Sequence, residues 1–307
     1  MFGLINTRPI WNEGDKLWSE ELRCVLNNVK VMDAPLQMLS LTDSVNVGNQ
    51  LFSWLSTVIS KKSYGYLIFT SPSSVKALAK QLSYFNNLKK QSLNYSENHH
   101  QIANSLVSGI CEYRIKAATI GIGTKNQLIE FINILIPTES DSKSFFLDEL
   151  LFVKDNADSV SFLQSYENKF IDKNLLVLEG EGNKPTLVNG LNTISNMVRS
   201  LSLYRRKDLQ LPALTSFYNK VTNMHVSPNQ EINFNMQVFL LLSSSSIADL
   251  AKKELKKQKV MLNSLVVLTH HDRIIEIMKK ECHDLKFSKM ISLTPKLIAD
   301  EVKKYLV

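Results

Sequence analysis

The chain has 307 residues, 44% of them hydrophobic, with a formal net charge of +7 and a pI near 9.1; that length suggests about two domains, with enough apolar content for two cores. No apolar run approaches the ~20 residues of a membrane helix, MFGLINTRPI lacks the basic-then-apolar build of a signal peptide, and the scattered Cys24, Cys111 and Cys282 fit a reducing cytoplasm without a disulfide framework. Much of the basic excess sits in KKELKKQK (Lys252–Lys259) and near Lys303, as solvated helix faces. No helix-turn-helix, finger or RNA-recognition signature accompanies it, so neither nucleic acid nor a membrane is an expected partner.

In chain order, GLINTRP (Gly3–Pro9) predicts a short apolar strand running into a polar turn. Asn12–Asn27 predicts a helix, with Leu17, Trp18, Leu22 and Leu26 near helical spacing. VKVMDAPLQMLSL (Val29–Leu41) reads as extended, because Pro35 bars a helix. Asn46–Ile59 is helical and leads into a strand after Tyr66, and Leu82–Lys116, rich in Asn, Ser and His, reads as a helix plus a variable surface loop. Amphipathic helical stretches follow around Phe145–Phe152 and Val160–Phe170. Leu175–Ile194 gives a strand, a turn with Gly180 and Gly182, and a helix; Asn196–Arg206 is extended with a basic end. Lys207–Gln237, with Pro212 and Pro228, is a connector containing a helix. Ile291–Leu306 closes with a short strand, Thr294 as N-cap, Pro295 at the first helical position and a last helix.

Two segments echo each other. Tyr66 is followed by LIFTSPSSVKALAK and Val238 by FLLLSSSSIADLAK, in agreement at Ser71/Ser243, Ser73/Ser245, Ser74/Ser246, Leu78/Leu250, Ala79/Ala251 and Lys80/Lys252. Each reads as buried strand, serine-rich turn, helix. Thr119–Ile132 is echoed more faintly by Leu265–Met278. A repeated strand–turn–helix unit predicts an α/β protein of two similar parallel-sheet domains, whose polar turns lie at the carboxyl ends of the strands, where open α/β sheets bind ligands. Strand counting assigns the N-terminal unit to the C-terminal half. The expected domains are 1–34 plus 207–307, discontinuous, and 35–206, inserted, with a two-stranded linker and a cleft between them.

Several constellations are weighed on their chemistry. Gly121-Ile-Gly123-Thr124 lacks the third glycine of GxGxxG, the chain has no GxxxxGK[ST], and EGEGNK (Glu179–Lys184) would repel phosphate, so no nucleotide cofactor is expected. His270, His271 and Asp272 are adjacent in a turn and no distant ligand pair completes a metal site, so no metal is expected either. Thr70, Ser71, Ser73 and Ser74 in one half, and Ser243, Ser244 and Ser245 in the other, offer hydroxyls and helix N-termini that suit anionic groups. At least one serine in each turn is expected to be only a helix cap. Gly121, Gly123 and Thr124 read the same way, with a tight strand–helix turn as the competing explanation. Arg8, Lys184, Arg205, Arg206 and His270 are the cations near these turns, and ordinary ion pairs compete for the first four.

The order TRP, IFTSPSSV, IGIGT, LVLEGEG, LYRR, LLLSSSS and SLTPKLIADEV, spread over nearly the whole chain, resembles the uroporphyrinogen-III synthase family. The resemblance implies two flavodoxin-like α/β domains joined by a two-stranded linker, and a cytoplasmic hydro-lyase that acts as a monomer without cofactor or metal. It implies the linear tetrapyrrole hydroxymethylbilane as substrate, cyclised with inversion of ring D to uroporphyrinogen III; the preceding bilane synthase is a candidate for transient contact. Carried over residue by residue, Tyr204 in LYRR is the candidate proton donor to the departing hydroxyl; a phenol is a neutral donor near pH 7. A core or linker tyrosine is its competing role. Arg8, Thr70, Ser71, Ser73, Ser74, Gly121, Gly123, Thr124, Gly180, Lys184, Ser243, Ser244, Ser245 and His270 are the candidate substrate contacts. Glu179 and Lys184 stand where many members have arginine, and the turn LTHHD departs from the family's IGxTT. The alternative is a catalytically inactive two-domain protein of the same fold that binds or senses a small anion.

Overall fold

The computed structural model describes residues 2–11, 17–60, 64–88, 98–136, 140–154, 158–222, 237–258, 260, 263 and 265–305. The chain divides into two compact units, a discontinuous one (Met1–Leu39 with Arg206–Val307) and an inserted one (Ser40–Arg205). From the N-terminus come β1 (Phe2–Asn6), the two-residue β2 (Ile10–Trp11), α1 (Leu17–Val25) and β3 (Val29–Asp33), after which β4 (Gln37–Leu41) carries the chain across. The inserted unit begins with α2 (Ser44–Ser60), β5 (Gly65–Phe69), α3 (Pro72–Leu88), α4 (Asn98–Cys111) and β6 (Ile115–Thr119). It continues through α5 (Ile122–Leu135), α6 (Asp141–Asp148), β7 (Leu151–Phe152), α7 (Ser159–Tyr166), β8 (Asn174–Gly180) and α8 (Thr186–Asn192). β9 (Val198–Asp208) returns to the discontinuous unit, which closes with α9 (Leu214–Thr222), β10 (Gln237–Leu241), α10 (Ser245–Lys257), β11 (Leu265–Thr269), α11 (Asp272–Lys279), β12 (Lys286–Lys289) and α12 (Pro295–Lys303).

The discontinuous unit holds a five-stranded parallel sheet in the order β12-β11-β10-β1-β3. Period-two alternation sorts its side chains into two cores. Ile5, Leu240 and Val267 face α9, α10 and α11, with Leu214, Ala251 and Ile274. Leu4, Phe239 and Leu268 face α1 and α12, with Leu22, Ile298 and Val302. The inserted unit's sheet runs β4-β9-β8-β5-β6-β7, with β2 added at the β4 edge through Met38 and Leu39. Tyr66, Ile68, Leu175 and Val177 meet Phe162 of α7 and Leu187 and Leu191 of α8, while α3 packs on β5 and β8 from the other side. Each leucine or phenylalanine buried this way contributes roughly 1.5–3 kcal/mol. The strands are therefore held from both faces, and the turns at their ends are free to differ.

Three expectations shift. Phe145–Phe152 is not one helix: α6 starts earlier, where Ser140 Oγ accepts the Lys143 N–H at 3.2 Å, and Leu151–Phe152 pairs with Ala118 and Thr119 as an edge strand. The strand expected at Ile291 lies at Lys286–Lys289 instead; as an edge strand bounded by lysines it has no apolar run to betray it. The faint second echo is out of register by three residues. β5 and β10 correspond with Phe69 matching Leu241, and these pair with Thr119 and Leu268 respectively. Thr119 thus corresponds to Leu268, not Leu265, because the buried strand IKAAT (Ile115–Thr119) begins before the letters that look alike. Residues 89–97 of the expected surface loop, and 223–236 of the connector, lie outside the described residues.

Candidate functional site

In the inserted unit the carboxyl ends of β5, β6 and β8 carry the predicted turns. Thr70 binds β8 twice, its N–H and its hydroxyl each donating to Leu178 O at 3.2 Å. Ser71 Oγ accepts the Ser74 N–H at 3.2 Å, and the Ser74 hydroxyl donates to Ser71 O at 2.7 Å, a reciprocal cap on the first turn of α3. Ser74 is buried, while Ser71 and Ser73 are half-buried. Gly121, buried at the start of α5, has φ 83°, which a side chain would strain. Thr124 bonds back to Ile120 O at 2.9 Å. Gly123 is exposed, and a Cβ there would meet Pro72 Cγ at 3.8 Å, so the N-termini of α3 and α5 lie side by side. The positive ends of their dipoles favour an anion.

Tyr204 reaches this rim through an irregularity in β9. Glu179 pairs with Ser202, yet Gly180 pairs with Tyr204, so Leu203 is an extra residue in the strand. Without that bulge Tyr204 would follow Ser200 and Ser202 outward. With it, Leu203 and Tyr204 are both buried, Tyr204 to 1% exposure, and the phenol lies 3.2 Å from Ser71 Oγ. Bulges re-aim side chains in this way beside functional sites. Gly180 is buried beside it, whereas Lys184 is exposed beyond the turn at Gly182. Glu179 is held by the Asn183 amide at 3.2 Å and by the Ser200 hydroxyl. Arg205 lies 4.0 Å from Glu181, both exposed.

The discontinuous unit's rim carries a network of its own. The Arg8 guanidinium lies 4.2 Å over the Trp18 ring and donates to Leu293 O at 3.0 Å. Beside it the Asn6 amide and the Ser19 hydroxyl donate to Asp33 at 2.9 and 2.7 Å, and Arg23 pairs with the same carboxylate. Nothing in the sequence singles out this network beyond an Asn and an Asp each ending an apolar strand. Ser244 caps α10, accepting the Ile247 N–H at 3.3 Å, with Ser243 and Ser245 half-buried on either side. His270 follows β11, and its ring is 4.0 Å from that of His271. Burial, then the neighbouring His271 and Arg8 charges, push its pKa down to about 3. Its Nδ1 is buried without a hydrogen-bond partner among the described residues, so it stands as a neutral group.

The structure thus gathers Ser71, Ser74, Tyr204, Gly121 and Gly123 on one rim, and Arg8 and His270 on the other unit's rim, the latter two close enough for Arg8 to depress the imidazole. Among the described residues no three His, Cys, Asp or Glu side chains form a metal-holding group, and no helix is long and apolar enough to cross a membrane.

These features define a two-domain α/β protein with polar turns at the carboxyl ends of both parallel sheets. Solved structures of this fold that match the chain are uroporphyrinogen III synthases. A mutant enzyme of the extreme thermophile Thermus thermophilus matches with a TM-score of 0.51 at 9% identity, over 100% of this chain and 99% of that one. The Helicobacter pylori synthetase matches with a TM-score of 0.44 at 12% identity, over 98% and 99%. The likeness to the Thermus structure is one of fold. No family model matches the chain, and no curated protein matches it.

Proposed function

We propose that this chain is a uroporphyrinogen-III synthase, a cytoplasmic hydro-lyase that closes hydroxymethylbilane with inversion of ring D and loss of water. The observation that carries the reading is the match of fold to a solved synthase over essentially the whole of both chains. The pairing of a buried phenol with a turn hydroxyl at a sheet's carboxyl end supports it. The substrate's pyrrole nitrogen supplies the electronic push that expels the hydroxyl, leaving an azafulvene. The substituted carbon of ring D attacks it, and the resulting spirocycle fragments and recloses inverted. The protein's part is to hold the carboxylates, keep the chain curled and supply a proton to the leaving oxygen. Positioning of this kind lowers a barrier by several kcal/mol.

In this reading Tyr204 is the source of the proton. Ser71, Ser73, Gly121, Gly123, Gly180 and Lys184 in the inserted unit, and Arg8, Ser243, Ser244, Ser245 and His270 in the discontinuous one, take carboxylates through hydroxyls, helix-end N–H groups and a few cations, whereas the hydroxyl protons of Thr70, Ser74 and Thr124 are given to Leu178 O, Ser71 O and Ile120 O. No cofactor or metal is required. A second reading, an inactive protein of the same fold that binds a smaller anion, draws on Glu179 and Glu181, whose carboxylates at the rim would repel a polycarboxylate. A coupled assay with freshly made hydroxymethylbilane separates the two, with the isomers resolved after oxidation. Isomer III formed faster than the spontaneous isomer I supports the synthase; isomer I alone overturns it.

A further inference from the structure

We infer that Ser71, instead of holding a carboxylate, hands the proton to the leaving hydroxyl, with Tyr204 behind it as the donor that recharges it. The inference deepens the function proposed above and rests on it. Tyr204 is 1% exposed, so its phenol is ill placed to meet a ligand itself, whereas Ser71 is half-buried at the turn. The two oxygens are 3.2 Å apart. A hydroxyl has one proton to donate and two lone pairs to accept with. One lone pair of Ser71 takes the Ser74 N–H at 3.2 Å. In the relay Tyr204 donates into the other, and the serine's own O–H is then left to point away from both partners. The cap on α3 also fixes the hydroxyl, because Ser74 returns a bond to Ser71 O at 2.7 Å and accepts the Ser71 N–H at 3.3 Å.

The step balances. The C–O bond of the hydroxymethyl group breaks as the pyrrole nitrogen lone pair moves in; Ser71 gives its proton to the departing oxygen, which leaves as water, and takes the Tyr204 proton in its place. The tyrosinate faces a cationic azafulvenium of equal and opposite charge. Its proton is restored when ring D loses the proton from its free α-carbon at the final closure. No oxidant, reductant or metal enters.

The test compares Ser71→Gly, Ser71→Thr, Tyr204→Phe and the double variant Ser71→Gly/Tyr204→Phe. Glycine is the replacement of choice because it is tolerated at a helix N-cap with little loss of stability. Groups that act as one unit are non-additive. Ser71→Gly and Tyr204→Phe should therefore each lower kcat for isomer III by a similar factor, roughly ten- to a thousand-fold, as for loss of an acid catalyst, and the double variant should be no slower than the slower single one. Ser71→Thr, which keeps hydroxyl and cap, should restore most of the rate. A wild-type kcat in Ser71→Gly, or a double variant whose loss is the product of the two single losses, overturns the relay. A readout independent of turnover is the ¹³Cζ signal of Tyr204 in labelled protein: Ser71→Gly should shift it, and an unchanged signal overturns the hydrogen bond on which the relay depends. A signal that shifts in Ser71→Gly, found together with a wild-type protein that forms no isomer III, overturns the synthase reading, and the relay's role with it, while leaving the hydrogen bond established.

Discussion

After α2 the inserted unit runs β5-α3-β6-α5-β7-α7-β8-α8-β9, with α4 and α6 as additions. The discontinuous unit runs β10-α10-β11-α11-β12-α12 and then, from the other end of the chain, β1-α1-β3. The strand orders agree, β7-β6-β5-β8-β9 against β12-β11-β10-β1-β3, and so do the helix partners, α3 with α5 and α7 with α8 against α10 with α11 and α12 with α1. One is a circular permutation of the other. What differs is the rim. Phe69 pairs with Leu178 and Leu178 with Leu201; Leu241 pairs with Asn6 and Asn6 with Asp33. Three residues beyond Leu201 stands Tyr204; three beyond Asp33 stands Leu36, fully buried in the core beneath α10. The same place in one fold holds a phenol bonded to a turn serine, and in the other a packing residue. Cores built by alternation tolerate few changes, so divergence collects where strands end. One rim pairs a buried phenol with a turn serine, and the other holds the network of Asn6, Ser19, Arg23 and Asp33 with Arg8 beside it.

The largest expected effect is at Tyr204. Tyr204→Phe should lower isomer-III turnover by roughly ten- to a thousand-fold, with the loss in kcat more than in product binding, since a bond that strengthens only as the C–O bond breaks acts on the transition state. At the matching position Leu36→Met, a swap that nearly conserves volume, should cost under about 1.5 kcal/mol of stability and leave turnover within about twofold. Equal losses of rate in the two variants would mean that Tyr204 is a packing residue like its counterpart.

How much of this can be read from the letters follows from what each letter reports. The first echo is legible because its serines and the LAK ending survive in both halves, and the strands it implies, β5 and β10, stand in that register. The second misleads by three residues because Ala117 and Ala118 fill the strand where Val266 and Val267 do in the other unit; burial is shared, identity is not. The caps at Ser244 and Thr294 are legible from residue type and spacing. The bulge is not. Alternation along SLYRR puts Tyr204 on the outward side, and the pairing that inverts it depends on β8, more than twenty residues away. The Asn6–Ser19–Asp33 network is hidden for the same reason, as its members meet only once β1, α1 and β3 are stacked.

A smaller effect is expected at Gly121. Its φ of 83° with ψ 160° lies where side chains are strained. Gly121→Ala should destabilise the chain by about 1–3 kcal/mol, measured by chemical unfolding of the folded protein. The pairing register puts His270 at the equivalent place in the other unit, and no positive φ is found there, so the two units leave their second strands by different turns. A neutral result for Gly121→Ala would show that the inserted unit can adopt its partner's turn.

His270 should respond to acid. Its folded pKa, about 3, lies below the ordinary 6.5 because burial opposes the charge. Above pH 6.5 it is neutral folded or unfolded and has no effect on the balance. As pH falls below 6.5 the unfolded chain takes up a proton that the folded chain refuses, so stability declines until pH nears 3. Between pH 7 and pH 5 this one group should account for about 1–2 kcal/mol of lost stability. His270→Gln should flatten that part of the curve; an identical acid limb would mean that the imidazole is hydrated and free to charge.

The two capping serines should also differ. Ser71 both caps α3 and bonds Tyr204, whereas Ser244 caps α10 and shares a hydroxyl contact with Ser246 at 3.1 Å. Ser244→Ala leaves the Ile247 N–H without its acceptor and should cost about 1 kcal/mol, while Ser244→Gly should cost only a few tenths, roughly, because glycine lets water reach the exposed N–H groups of the first turn. Ser71→Ala should cost a comparable amount for its cap, and in addition remove one hydrogen-bond partner from the buried Tyr204 hydroxyl, for a further loss of about 1–3 kcal/mol. Urea unfolding of the three variants gives the order directly. If Ser71→Ala and Ser244→Ala destabilise equally, the phenol does not depend on Ser71, and the contact that distinguishes the inserted unit's rim at this position is a matter of proximity without energetic coupling.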